Sequence, residues 1–159
     1  MNKIKDGEYP ELNVYTFGKF QIANEDGILT VEKIHSEMLT RLLAYMVYHR
    51  GKSLTVQELV EVLWSEDESD NPAGALKNLM YRLRNLLKKM WGNYDFIITG
   101  RGLYQWNPHV TLHIDAEDFE QYCKDMVCEN SVEKKIQKGK EAVALYQGVF
   151  LPELSGEYW

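Results

Sequence analysis

Between Pro72 and Asn107 the chain gathers side chains that suit recognition of a charged, planar polymer. Lys77, Asn78, Tyr81, Arg82, Asn85, Lys88 and Lys89 recur along one side of a helical period, with Arg84 near its edge. Each has a defined chemistry. Arg82 presents a planar fork that can grip guanine or a phosphate with two hydrogen bonds. Asn78 and Asn85 can pair with adenine, and Tyr81 can stack on a sugar, meet a thymine methyl or donate to a phosphate. Lys77, Lys88 and Lys89 are point charges suited to a phosphate backbone. The plain alternative is a solvated basic helix face, and Arg84 could equally form an internal ion pair with the preceding helix. Arg101 stands between Gly100 and Gly102, which permit a tight turn and close approach, so it can enter a narrow minor groove or simply top a hairpin. Ser53 and Thr55 precede another helix and can offer hydroxyls and helix N-terminal amides to a phosphate, or serve only as caps.

The elements that position these groups follow from periodicity. Leu76, Leu79, Met80, Leu83, Leu87 and Met90 repeat at i, i+3, i+4 spacing, which predicts a helix over 72–91, with Pro72 in its first turn and Gly92-Asn93 as its stop. Phe96–Thr99 and Leu103–Trp106 read as two strands of a hairpin spanning 95–107. Upstream, Leu12–Phe17, Phe20–Ile22 and Ile28–Val31 predict a small antiparallel sheet with a turn at Asn24–Gly27 and a last short strand near Ile34. Ser36 caps a helix striped by Met38, Leu39, Leu42, Leu43, Met46 and Val47. Thr55 and Glu58 form a capping box for a second helix, with Val56, Leu59, Val60, Leu63 and Trp64 inward. After Asn107-Pro108, helices are predicted from Ile114 and over Val132–Gly148. The apolar cluster Val149, Phe150, Leu151 and Leu154 then calls for a partner, as in a helical array that continues beyond the chain.

Charge sharpens the reading. The 159 residues carry a formal net charge of −6, which by itself argues against a polyanionic partner. The distribution argues the other way: Pro72–Trp106 holds six basic residues and one acidic, whereas Ile114–Trp159 holds ten acidic and five basic. Local field governs docking more than the total. With 45% hydrophobic residues the chain can bury a core, and nothing in it resembles a leader or an 18-residue apolar span, so it is read as cytoplasmic. Cys123 and Cys128 are read as structural thiols. His109 and His113 lack a metal-ligand cluster, Glu66–Asp70 lacks the spacing of a calcium loop, and no nucleophile–base pair is evident. No enzyme, metal or cofactor is expected.

The order of these segments resembles the OmpR-type winged helix followed by the start of a bacterial transcriptional activator domain, as in SARP-like regulators. Leu42–Gly51 is similar to that family's first helix, and Glu58-Leu…Leu63-Trp64 to its second. Ala75-Leu…Tyr81-Arg-Leu-Arg84…Leu87 is similar to its recognition helix, and Thr99–Trp106 to its wing. Asp115–Phe119 and Glu141–Leu151 resemble the opening of the activator domain. Leu103 intervenes between Gly102 and Tyr104, where the family pattern has glycine and tyrosine adjacent, which leaves the wing register open by one residue.

The resemblance implies an α+β fold: a winged helix-turn-helix over 11–108, with an N-terminal antiparallel sheet and a C-terminal hairpin wing, then an incomplete TPR-like helical hairpin over 114–159. It implies a regulator, usually an activator, that binds double-stranded DNA on direct repeats as a homodimer. The loop holding Glu66, Asp67, Glu68 and Asp70 would then meet RNA polymerase. The competing expectation is a protein-interaction module that uses the same helices on a partner protein.

Overall fold

The computed structural model describes residues 8–64 and 71–145. It is α+β, as expected. Leu12–Tyr15 (β1) alternates buried with exposed residues, so Leu12 and Val14 face inward. It pairs antiparallel with Gln21–Asn24 (β2), which pairs antiparallel with Gly27–Thr30 (β3). The turn between the last two is closed by the Asn24 side chain, whose oxygen accepts from the backbone of Asp26 (2.8 Å) and Gly27 (3.2 Å).

The expected strand over Ile28–Val31 forms as β3 but stops at Thr30, and the short strand near Ile34 is overturned. Val31–Ile34 form a one-turn helix (α1) instead. Thr30 Oγ1 accepts from Lys33 N at 3.3 Å, and His35 closes the turn in a left-handed conformation (φ 53°) with its N–H on Val31 O. A capping threonine outweighs the β preference of Val31 and Ile34.

Glu37–Tyr48 (α2) is the central helix. Its run Leu39–Val47 is buried except for Arg41, so it packs on several sides rather than along one stripe. Leu54–Thr55 (β4) leads into Val56–Leu63 (α3), and Pro72–Trp91 (α4) follows. Thr55 caps α3 as expected, accepting from Glu58 N at 3.0 Å. The reciprocal half of the capping box is displaced: Glu58 Oε1 accepts from the Tyr45 hydroxyl (3.0 Å) and so ties α3 to α2.

Burial, reinforced by Glu58, pushes the Tyr45 hydroxyl up to about 12. The neighbouring His49 ring packs on Tyr45 with centroids 4.3 Å apart, and burial, with Lys52 nearby, holds its pKa below the usual 6.5. The folded protein therefore binds the His49 proton less readily than the unfolded chain. The stability this contributes is complete above about pH 6.5 and is lost as pH falls through the depressed folded value. Urea midpoints are expected to fall from pH 7 towards 4, and a His49→Gln variant should show a shallower fall. Parallel curves for the two proteins would exclude His49 from the acid response.

Ile97–Gly100 (β5) and Leu103–Trp106 (β6) form the wing hairpin, and β4 adds to its other side, giving the order β4-β6-β5. Gly100 pairs with Leu103 and Thr99 with Tyr104, which resolves the register. Leu103 is the first residue of β6, and Arg101-Gly102 alone make the turn, with Gly102 at φ 63°.

Leu112–Ile114 (β7) was unforeseen. It pairs parallel with β1 and completes a four-stranded sheet in the order β3-β2-β1-β7. Ile114 is extended, so the next helix starts one residue later than expected, as Asp115–Cys128 (α5), followed by Val132–Leu145 (α6). Among the described residues no helix is long and apolar enough to cross a membrane. The expected helix end at Gly148 and the apolar cluster 149–154 lie outside the described residues.

The core lies between the first sheet, α2, α3, α4 and the base of the wing. The joint between β7 and α5 is polar and buried. Asp115 is 6% exposed, and its carboxylate accepts from Thr16 N (2.9 Å), Phe17 N (3.2 Å), Ala116 N (2.7 Å) and the Thr16 hydroxyl. Two residues on, Glu117 receives both arms of the Arg50 guanidinium, and Phe119 meets Phe17 edge-on at 5.5 Å.

Candidate nucleic-acid interface

The frame for α4 is local chemistry. Asn71 caps it by accepting from Gly74 N (3.2 Å), and Pro72 sits where a missing N–H costs nothing. Gly92 ends it at φ 110°, with its N–H on Lys88 O. Leu76, Leu79, Met80, Leu83 and Leu87 are buried as expected, and Trp91 joins them; Met90 is only partly buried. Gly27 packs so closely on the Met90 side chain that a Cβ there would stand 2.6 Å from the sulfur. This contact fixes the far end of α4 against the β2–β3 turn.

The opposite face is open. Lys77, Asn78, Tyr81, Arg82, Asn85 and Lys89 are exposed, Tyr81 by 67%, while Lys88 is half-buried. None of these seven side chains makes a hydrogen bond or ion pair with another described residue. Asn78, Tyr81, Arg82, Asn85 and Lys89 follow at spacings of three, four and seven, so they form one stripe along the helix. An exposed tyrosine flanked by an arginine and two amides offers both an aromatic face and directional donors.

Arg84 behaves otherwise. Its Nη2 donates to Ile97 O (3.1 Å) and to the Thr99 hydroxyl. The ion pair with the second helix is not formed, because the guanidinium reaches β5 instead. Arg84 thereby ties α4 to the wing.

Arg101 is exposed at the wing turn. The turn is not free-standing: Val56 N donates to Gly102 O (3.1 Å), and Thr55 pairs with Leu103. The first amide of α3 is therefore already used, and the Thr55 oxygen is engaged as a cap. Ser53 is exposed, with its hydroxyl 3.5 Å from Gln105 Oε1. The fold thus brings Ser53, Thr55 and Arg101 to one end of the wing sheet and the Lys77–Lys89 stripe to α4. Ile98 and Leu103, 43% and 36% exposed, lie with Gln105 on the same outer face of the wing. Strict alternation with buried Tyr104 and Trp106 is the signal that could have marked Leu103 and Gln105.

Other groups fall elsewhere. His113 Nε2 lies 3.5 Å from Glu11, and His109 stacks on Tyr9. Cys123 and Cys128 are free thiols on α5. The loop Glu66, Asp67, Glu68 and Asp70 lies outside the described residues.

Residues 29–103 match the family described as "Transcriptional regulatory protein, C terminal". A comparison with curated protein sequences returns no match. Among solved structures, Mycobacterium tuberculosis EmbR, in complex with a low-affinity phosphopeptide, superposes with a TM-score of 0.74 at 17% identity. The alignment covers 92% of this chain and 38% of the EmbR chain, so the helical pair α5–α6 falls largely within a shared fold. The E. coli CadC DNA-binding domain aligns at 22% identity and a TM-score of 0.46, over 63% of this chain and 94% of that one.

Proposed function

We propose that residues 29–103, which match the family of transcriptional regulatory C-terminal domains, are an OmpR-type winged-helix domain, and that the protein binds specific double-stranded DNA sites and activates transcription from them. That family is one of DNA-binding regulatory domains rather than of enzymes. The observation that carries the reading is the open stripe on α4, where Asn78, Tyr81, Arg82, Asn85 and Lys89 stand without partners among the described residues. An α-helix fits the major groove, and side chains on its outer face reach base edges. In this reading residues 11–108 form the DNA-binding unit. Arg82 reads a base, the lysines hold phosphates, and Arg101 touches the flanking minor groove or backbone. Arg84 keeps wing and helix at a fixed spacing instead of contacting a base.

Residues 114–159 open an activator unit, a copy on each direct repeat forms a dimer, and the acidic loop at Glu66–Asp70 meets RNA polymerase in the cytoplasm. The acidic segment Ile114–Trp159 restrains non-specific attachment, so the basic stripe docks where its shape fits rather than wherever phosphate is found.

Selection of bound fragments from random-sequence duplexes is expected to enrich a motif. Affinity for that motif should fall with salt at a log–log slope of about −0.9 per neutralised phosphate. Arg82→Ala should cost about 1–3 kcal/mol on the motif if Arg82 reads a base. Failure to enrich any sequence would favour the protein-interaction module. A flat salt response would remove the phosphate contacts.

A further inference from the structure

We propose that the first turn of α5 is a transmission joint that couples the orientation of the α5–α6 pair to the wing. Three attachments meet within five residues. Asp115 holds the backbone at the end of β1 through Thr16 and Phe17. Phe119 packs edge-on against Phe17. Glu117 grips Arg50, with Nη1 on Oε1 at 2.7 Å and the second arm on the other oxygen. The first two fasten α5 to the first sheet. The third fastens it to a different part of the molecule, the turn between α2 and β4.

That turn is built to pass a displacement on rather than absorb it. Arg50 N donates to Val47 O (3.3 Å) and Lys52 N to His49 O (3.2 Å), so both sides of Gly51 are tied back to the end of α2. Four residues after Arg50, Leu54 pairs with Tyr104 of the wing and Thr55 with Leu103, and Val56 N donates to Gly102 O at the wing turn. The connected path runs from Glu117 to Arg50, along the turn to β4, and from β4 to the wing. A rotation of α5 about its Asp115 anchor moves Glu117 and therefore strains the Arg50 end of this path. Coupling of this kind is reciprocal, so immobilising the wing also biases α5. The joint stands on intramolecular contacts alone and holds whatever the wing binds.

The test uses the full chain and amide hydrogen exchange. Arg50→Gln and Glu117→Gln each remove one partner of a partly exposed pair. Each is expected to speed exchange at Leu54, Thr55, Val56 and Tyr104 by about threefold to fivefold, the size open to such a pair. Amides of the β2–β3 pair should keep their wild-type rates. The double variant Arg50→Glu/Glu117→Arg should bring the β4 amides back to within about twofold of wild type. Unchanged β4 exchange in both single variants would overturn the joint. So would an equal acceleration at β2–β3, which means general loosening, or a charge swap that restores nothing. Asp115→Asn supplies an independent arm: loosening the anchor should raise exchange in β1 and β4 beyond any general rise at β2–β3, and a β4 rise no larger than that at β2–β3 counts against the coupling.

Discussion

Replacing Asp115 by alanine is expected to lower the free energy of unfolding by about 3–4 kcal/mol, several orphaned hydrogen bonds being the cause. The wild-type carboxylate satisfies the N–H groups of Thr16 and Phe17 and the Thr16 hydroxyl, all at the end of β1, besides Ala116 N at the start of α5. Alanine leaves three of these donors facing a site that is 6% exposed in the native protein. The loss also falls where Val14 pairs with Ile114, so β7 and β1 lose their lateral support together. Asparagine keeps one accepting oxygen but turns an NH2 towards the same donors, so Asp115→Asn should fall between. Urea denaturation at neutral pH reads both. A loss under about 1 kcal/mol for alanine would mean that water replaces the carboxylate at little cost, and the clasp would not hold the fold.

Leu83→Ala is expected to cost a comparable 3–4 kcal/mol, within the range of about 2–5 for buried leucines. Leu83 is 0% exposed and lies at the middle of the inward face of α4, between Leu79 and Leu87. The lost side chain leaves a cavity under the helix that carries the exposed stripe. The adjacent Arg82 is the control. It is exposed and without a partner among the described residues, so Arg82→Ala should change stability by no more than about 0.5 kcal/mol. Neighbouring substitutions thus separate two properties. Leu83→Ala should shift the denaturation midpoint strongly, while Arg82→Ala should leave it in place and weaken DNA binding. If Arg82→Ala unfolds the protein, the outer stripe is structural. If Leu83→Ala leaves the midpoint unchanged, the seat of α4 has been misassigned.

Much of this arrangement was readable because it is local. The α4 face follows from leucine spacing, the α3 cap from Thr55, and the β2–β3 turn from Asn24–Gly27. Where several local signals compete, the reading fails: Val31–Ile34 has strand-forming residues, yet Thr30 and His35 close it into a helical turn. Strand β7 was illegible for another reason. Three residues pair with a strand a hundred positions away, Val14 with Ile114, and no short-range periodicity announces such a partner. Arg84 shows the same limit at the interface. Its position on the edge of the basic face is plain in the sequence, but only the packing of β5 against α4 reveals that its guanidinium is spent on Ile97 and Thr99. Glu58 likewise looks like half of a capping box and instead holds Tyr45.

The parallel pairing of β1 with β7 also sets a timetable. A chain emerging from the ribosome at about 5–20 residues per second exposes β1 roughly 5–20 seconds before Ile114 appears. Through that interval the β1–β2–β3 meander carries an open flank along Leu12–Val14, a template for mispairing with another nascent chain. The strand that closes it arrives together with Asp115, so the last β pairing and the clasp that secures it are delivered by consecutive residues. Release of the chain before residue 112 would leave a domain with every helix of the winged-helix unit made and its first sheet unsealed.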